Sequence, residues 1–126
     1  MADDYLDDPD GFFMIGIPRY LVEQPAVAAR VGSVTEVAVI ELDGDRGGTW
    51  HFVLGDGQVA IDRGPHAAPS FTIAMSVESF RRLREGKLGI AGAVLRRKIR
   101  TRGSLRALLR VGALFKADAQ KDKGTS

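Results

Sequence analysis

The 126-residue sequence contains no cysteine and a single tryptophan. Disulfide bonds, thiolate metal sites and a cysteine nucleophile are therefore excluded, and the composition is compatible with a reducing compartment. No apolar run approaches the roughly 18 residues that a membrane-spanning helix needs. The first residues are acidic and lack the apolar stretch of a secretory signal, and the last residues match no address signal. We expect a cytoplasmic protein.

Charge is small in total but unevenly distributed. The formal net charge is +2. Residues 1–10 carry five aspartates and no basic residue, whereas residues 81–110 carry eleven lysines or arginines and one glutamate. Such an asymmetry predicts either an anionic partner or an acidic arm that folds over a basic face.

The basic segment LRRKIRTRG, residues 95–103, alternates in the manner of a β-strand. Phosphate contacts come from lysine and arginine, but the basic segments have few exposed aromatic residues to stack bases, and no nucleic-acid-binding motif is present. Nucleic acid is therefore disfavoured as a partner. Two interpretations stay open, a transient contact with an anionic membrane surface and a solvated face of a sheet.

The pattern of the chain predicts one domain over residues 11–116, between a flexible acidic N-terminus (1–10) and a flexible polar tail (117–126). Residues 11–31 are rich in helix formers, but Pro18 and Pro25 interrupt them, which predicts two short helices. Ser76 and Ser104 are predicted N-caps of later helices. A helix rich in small residues is expected between them, over residues 88–95.

Strands are predicted at 34–42, 49–55 and 58–62, where Gly/Asp turns indicate an antiparallel meander. Two further strands are predicted over residues 70–75 and 95–103. Strands followed by helices in this order predict an α+β fold, with about five strands and the helices collected on one face.

An ordered series of short motifs in the second half of the chain is similar to a known family. The series comprises Thr49-Trp50, Gly55-Asp56-Gly57, TIAM at 72–75, the helix start at 76–80, Gly86-Lys87-Leu88, Lys98-Ile99, Gly103 and the closing amphipathic helix. In these residues the sequence resembles the sterol carrier protein type 2 (SCP2-like) family. The resemblance covers residues 49–115 well and residues 12–48 less specifically.

The resemblance implies a mixed, five-stranded sheet with helices packed on one face, which together enclose an apolar tunnel. It implies binding, and intracellular transfer, of a sterol, fatty acid, acyl-CoA or similar apolar metabolite, without a metal or an organic cofactor. The sequence departs from the family pattern at Ser70, where an acidic residue is common, at Gly89, where a proline is common, and at Arg97, where glycine is common.

Arg97 is the departure with the clearest chemical meaning. Alternation along the strand places it on the face of Ile99 and Thr101, toward the helices. There it could hold the carboxylate or phosphate of a ligand at the tunnel mouth. If the strand begins later, Arg97 is simply exposed. Arg97 and Lys87 are the candidates for an anionic head group.

Apolar residues of the predicted strands and helices are the candidates for the tunnel lining, although a packed core requires the same residue types. They are Phe71, Ile73, Met75, Phe80, Leu83, Ile90, Val94, Leu95, Ile99, Leu105, Leu108, Leu109 and Phe115. Gly89, Ala91, Gly92 and Ala93 are small, which favours either an entrance flap or close packing on the sheet.

No catalytic residue is assigned. The titratable candidates His51, His66, Asp62 and Glu78 match no catalytic motif or metal-ligand spacing. The sequence therefore favours a lipid carrier over an enzyme. Two alternatives remain: an enzyme that acts on a lipid- or polyketide-like substrate on the same scaffold, and an interaction module that uses the basic face without a cavity.

Overall fold

The computed structural model describes residues 8–85 and 97–124, with the side chains of its last helix as far as Leu114. Five strands form one sheet in the order β3-β2-β1-β4-β5. All neighbours are antiparallel except β1 and β4, which are parallel. The strands are β1 (Glu36–Asp43), β2 (Gly48–Gly55), β3 (Gln58–Arg63), β4 (Phe71–Ser76) and β5 (Ile99–Gly103). The predicted α+β class and mixed five-stranded sheet are confirmed.

Helix α1 consists of three contiguous segments, Pro9–Gly11, the π-helical Phe12–Gly16, and Ile17–Glu23. The expected break at Pro18 is absent. The π turn ends with a hydrogen bond from the Ile17 N–H to the Phe12 carbonyl, so Pro18 falls in the first turn of the segment that follows, where its missing N–H needs no partner.

The expected break at Pro25 is present. The preceding Gln24 leaves the helical region, with φ −125° and ψ 70°, as expected for a residue before proline. Helix α2 then begins at the proline and covers Pro25–Val31.

The described part of the chain has two further helices, α3 (Val77–Arg84) and α4 (Leu105–Gly124). The helix predicted over residues 88–95 lies outside the described residues. The Ser76 Oγ accepts a hydrogen bond from the Ser79 N–H at 3.0 Å, and the Ser104 Oγ accepts one from the Ala107 N–H at 3.1 Å. Both predicted N-caps are therefore confirmed. Helix α4 includes most of the polar segment that was predicted to be a tail.

Alternation along the strands gives the sheet two different faces. The face toward the helices, called here the helix face, carries Ala38, Leu42, Trp50, Phe52, Leu54, Phe71, Met75 and Ile99, all of which are buried in one apolar cluster. The opposite face, called the open face, carries no described helix. The connection from β3 to β4 crosses this open face, where the His51 and His66 rings lie 5.3 Å apart in an edge-to-face arrangement.

The start of α1 is attached to the sheet by the Asp10 carboxylate. One carboxylate oxygen accepts hydrogen bonds from the Trp50 Nε1–H at 3.0 Å and from the Arg63 Nε–H at 2.7 Å. The other oxygen accepts a bond from Arg63 Nη2 at 2.8 Å. The hydrogen bonds from Arg63 and from Trp50 hold the pKa of the Asp10 carboxyl below its ordinary value.

Replacement of Asp10 with asparagine is expected to lower the free energy of unfolding by about 1 kcal/mol at neutral pH. Because the pKa of Asp10 is lower in the folded protein than in the unfolded chain, the contribution of the carboxylate is complete above the unfolded pKa. It is lost as the pH falls through the folded pKa. Urea unfolding followed by fluorescence of the single tryptophan, Trp50, should therefore show the two proteins converging in acid.

Asp10→Ala is the matched variant, because it also removes the acceptor of the buried indole N–H. An unsatisfied buried donor costs about 1–3 kcal/mol, so the alanine variant should be less stable than the asparagine variant and should stay less stable than the wild type in acid. Equal stability of Asp10→Asn and the wild type at neutral pH would contradict the assignment.

Candidate functional site

The middle of the helix face is less well covered than its ends. On β4, Phe71 and Met75 are 3% and 7% exposed, yet Ile73 between them is only half-buried. Its neighbour on β1 in the parallel register, Ile40, is half-buried as well. On the other side Ile73 pairs with Thr101, which is exposed. The row Ile40–Ile73–Thr101 is thus half-buried at its first two residues and exposed at the edge strand.

Two helices border this row from opposite ends of β4. Helix α3 follows the last residue of β4 directly, whereas α4 follows β5, whose final residue Gly103 pairs with Phe71 at the start of β4. Both helices contact β4. They present the half-buried side chains Phe80, Leu83 and Leu108 against the apolar cluster. We call these three residues and the row Ile40–Ile73–Thr101 the trough.

An aromatic layer closes the trough on the side of α1. The Phe13 ring is stacked on Phe80 at 5.3 Å, tilted against Trp50 at 4.8 Å and edge-on to Phe52 at 5.8 Å. Phe12 is edge-on to Phe80 at 5.6 Å. The layer fixes α1 to both the sheet and α3, so the aromatic wall of the trough is rigid.

Among the side chains that the structure describes, the floor of the trough is uncharged, and its one polar group is the Thr101 hydroxyl. Charged side chains are described on the two helices that border it. The Arg84 guanidinium lies 4.2 Å from the centre of the Phe12 ring, and Arg110 of α4 forms a 3.4 Å ion pair with Glu36. A surface of this kind can bury an apolar ligand and offer one hydrogen bond to a polar end.

The basic strand faces away from the trough and is neutralised. Arg100 pairs with Asp43 at 2.7 Å, and Arg102 pairs with Glu41 at 2.9 Å, across the open face. These four residues and Ala74 line a shallow depression of about 360 Å³. Acids of β1 balance these two arginines, and this pairing favours the interpretation of β5 as a solvated strand face.

Arg97 lies outside the strand. Strand β5 begins at Ile99, and Arg97 occupies an exposed turn with φ +58°, in the left-handed region. Strand alternation therefore does not apply to it, and the second of the two alternatives, an exposed Arg97, is the one observed. Its role toward an anionic head group stays a prediction, and Lys87 lies outside the described residues.

The predicted lining residues fall into four groups. Phe71, Met75 and Ile99 are buried in the core; Ile73, Phe80, Leu83 and Leu108 are half-buried; Leu105 and Leu109 are exposed; Ile90, Val94, Leu95 and the side chain of Phe115 lie outside the described part of the chain. A closed apolar tunnel is not seen among the side chains that the structure describes. The lining assignments therefore stay predictions.

The titratable candidates are remote from the trough. His51 and His66 lie on the open face, where His51 Nδ1 hydrogen-bonds the Gly64 carbonyl at 2.9 Å and His66 Nδ1 accepts from the Ala68 N–H at 3.0 Å. Glu78 forms a 3.0 Å ion pair with Arg81 on the exposed side of α3. Over residues 8–85 and 97–114, no group of three or more histidine or acidic residues could hold a metal ion.

Comparison with known proteins agrees with this architecture. The sequence model of the SCP-2 sterol transfer family matches residues 18–116. The match spans well over half of the chain, and the chain therefore belongs to the SCP-2 sterol transfer family. No curated protein matches the sequence significantly. Within the described helices, none is long and apolar enough to cross a membrane.

Solved structures show the same fold at low sequence identity. Sterol carrier protein domain 2 of Helicoverpa armigera superposes with a TM-score of 0.70 at 18% identity, over 90% of this chain and 91% of that one. Palmitated SCP2L2 from Aedes aegypti gives 0.55 at 22% identity, over 75% and 90%. The sec-alkylsulfatase Pisa1 from Pseudomonas gives 0.61 at 16% identity, over 84% of this chain but only 16% of that enzyme.

Proposed function

We propose that this protein is a carrier that binds one sterol, fatty acid, acyl-CoA or similar apolar metabolite against the trough and transfers it within the cell. The observation that carries the proposal is the incompletely covered row Ile40–Ile73–Thr101, which lies between α3 and α4 in a fold of the SCP-2 sterol transfer family. The palmitate on the Aedes aegypti relative is an apolar chain of the expected class.

Affinity would come from apolar contact. Each methylene group that leaves water for the trough contributes about 0.8 kcal/mol. Micromolar affinity corresponds to about 8 kcal/mol, so an acyl chain over Ile73, Phe80 and Leu108 must bury at least about ten methylene groups. The Thr101 hydroxyl, at the exposed end of the row, is the group placed to meet a polar end of the ligand. The ligand would thus lie across the sheet, with its apolar end toward Phe13.

Ile73→Ser is expected to weaken the binding of a fluorescent fatty acid by about tenfold, because it replaces apolar contact at the centre of the trough with a hydroxyl. Titration of the purified protein measures the dissociation constant directly. Native mass spectrometry of the gently purified wild type should in addition show a co-purified lipid.

Val53→Ser is the matched control. Val53 is also a β-branched residue in the middle of a strand, but it lies on the open face and is 38% exposed. It should leave fatty-acid affinity unchanged. If both variants bind as the wild type does, the trough is not the site; if the wild type neither carries a lipid nor binds the probe, the carrier function itself is wrong.

The alternative function, an enzyme on the same scaffold, requires a reactive group in the trough. Among the described side chains of the trough, Thr101 alone carries an ionisable or nucleophilic atom, and no described base lies beside it: His51 and His66 are on the other side of the sheet. The likeness to a part of Pisa1, at 16% identity, is one of fold and assigns no reaction to this chain. A carrier therefore remains the better explanation.

A further inference from the structure

Helix α4 is oriented in an unexpected way on the sheet. It turns its small residues inward, with Ala107 and Val111 4% and 6% exposed, while Leu105 and Leu109 are 62% and 64% exposed. The opposite rotation would bury two leucines, the usual arrangement for an amphipathic helix of a soluble domain. Folding of the domain therefore does not explain why leucine occupies these two positions.

The exposed leucines belong to a continuous band. At 100° per residue, Leu105, Leu109, Gly112 and Ala113 follow one another along one side of the helix, and all four are exposed. A Cβ atom built on Gly112 would meet nothing within 4 Å, so this end of the band opens freely to the surroundings. We call these four residues the leucine band.

Cations border the leucine band on one side. Arg106 and Arg110 are the next residues around the helix, and both are exposed. Arg110 is held by Glu36 at 3.4 Å, whereas Arg106 forms no ion pair with any side chain that the structure describes. No carboxylate lies on this side of α4 between Leu105 and Leu114.

We infer that the leucine band and Arg106 dock the protein on an anionic membrane surface. An apolar stripe beside a cationic stripe is the arrangement of helices that lie in the plane of a membrane interface, with leucines among the acyl chains and basic residues at the phosphates. A second copy of the chain fits this face less well, because it would bring cationic stripes together with no acid of α4 to balance them. The docking site lies beside the trough, since Leu108, which borders the trough, comes one helical turn before Gly112 of the band, and Leu108 is half-buried whereas the band is exposed.

Co-flotation with vesicles tests the inference. The wild type should bind vesicles of equimolar phosphatidylcholine and phosphatidylserine, and bind phosphatidylcholine vesicles more weakly. The double substitution Leu105→Ser/Leu109→Ser should lower the partition coefficient at least about tenfold, through loss of two buried leucines. Arg106→Gln should lower it about fivefold on the anionic vesicles and leave the weak binding to neutral vesicles unchanged.

Val22→Ser is the matched control, since Val22 is an apolar residue that is 80% exposed on a different helix. It should bind vesicles as the wild type does. Circular dichroism should show that all variants fold. Ile73→Ser, which weakens fatty-acid binding, should bind vesicles as the wild type does, and this separates the proposal from that of the trough.

Three outcomes would overturn the inference. The first is equal partition of the wild type and the leucine double variant. The second is an equal loss in Val22→Ser, which would mean that exposed apolar residues act without regard to position. The third is a dimeric wild type that the leucine substitutions make monomeric in sedimentation without vesicles, which would show that the band is an interface between copies.

Discussion

Replacing Phe13 with alanine is expected to lower the free energy of unfolding by about 3–5 kcal/mol. Phe13 is 3% exposed, and its ring touches Trp50, Phe52 and Phe80, which belong to two different layers of the fold. Alanine would leave a cavity that these rings cannot fill by small movements, because Trp50 and Phe52 are held by β2 and Phe80 by α3. Urea unfolding followed by Trp50 fluorescence measures the change.

Phe12→Ala is the comparison that makes this result specific. Phe12 is the same residue type on the same π-helical segment, but it is only half-buried, under the Arg84 guanidinium at 4.2 Å. Its loss should cost roughly half as much, in proportion to the apolar area it keeps from water. If the two variants are equally stable, the aromatic layer does not hold α1 to the sheet. The trough would then lack a rigid wall.

Local patterns were sufficient to predict much of the fold. Turn residues and two-residue alternation located the meander β1–β2–β3, and hydroxyl caps located the starts of α3 and α4, because these signals act within a few residues of the chain. The motif series from Thr49 to Phe115 then indicated the family that the match over residues 18–116 establishes.

The details of the site depend on contacts between distant residues, and here prediction reached less far. Ile40 meets Ile73 only through the parallel register of β1 and β4, which no local pattern encodes. The rotation of α4, which leaves Leu105 and Leu109 outside, follows from the close fit of Ala107 and Val111 on neighbouring elements rather than from hydrophobicity. The sequence predicts a strand that includes Arg97, whereas β5 begins at Ile99. The prediction is wrong there because the alternating pattern of arginines continues into the turn at Arg97.

The balance of charge on β5 also required the fold. In the sequence its arginines form a basic stripe without acidic neighbours. In the fold, β4 pairs with both β1 and β5, and this brings Glu41 close to Arg102 and Asp43 close to Arg100. Exposed pairs of this kind contribute at most about 1 kcal/mol each to stability. Their main consequence is electrostatic. Because Arg100 and Arg102 are already paired with acids, Arg106 beside the leucine band is better suited than β5 to contact an anionic lipid.

Gly103→Ala is expected to destabilise the protein by about 3 kcal/mol or more, from two separate causes. Gly103 has a φ of +91°, where a side chain costs about 1–3 kcal/mol of backbone strain. A Cβ atom there would also lie 2.6 Å from the Ser70 carbonyl oxygen and 2.9 Å from the Phe71 Cα. Both are backbone atoms at the start of β4, in its first residue and the residue before it, so relief requires the strands to separate, at a further cost of about 1–3 kcal/mol.

Gly64→Ala separates the two causes. Gly64 has a nearly identical φ of +96°, but a Cβ atom there would meet nothing within 4 Å, so this variant should show the strain alone. The stability difference between the two variants, measured by urea unfolding, then gives the cost of the clash. If the two variants lose the same free energy of unfolding, β5 accommodates the added Cβ atom at Gly103 at no cost, contrary to the close packing seen there.

The same pair of variants also tests how the trough depends on the edge strand. Gly103 ends β5 opposite Phe71, and the next residue continues the contact through a 2.8 Å hydrogen bond from the Ser104 N–H to the Ser70 carbonyl. Displacement of this junction would move Thr101 away from Ile73 and shift the first turn of α4. Under conditions where both variants remain folded, Gly103→Ala should therefore bind the fluorescent fatty acid more weakly than Gly64→Ala, whose strained turn lies on the far side of the sheet. Equal affinities would restrict the binding surface to β1, β4 and α3, and Thr101 would lose its place in it.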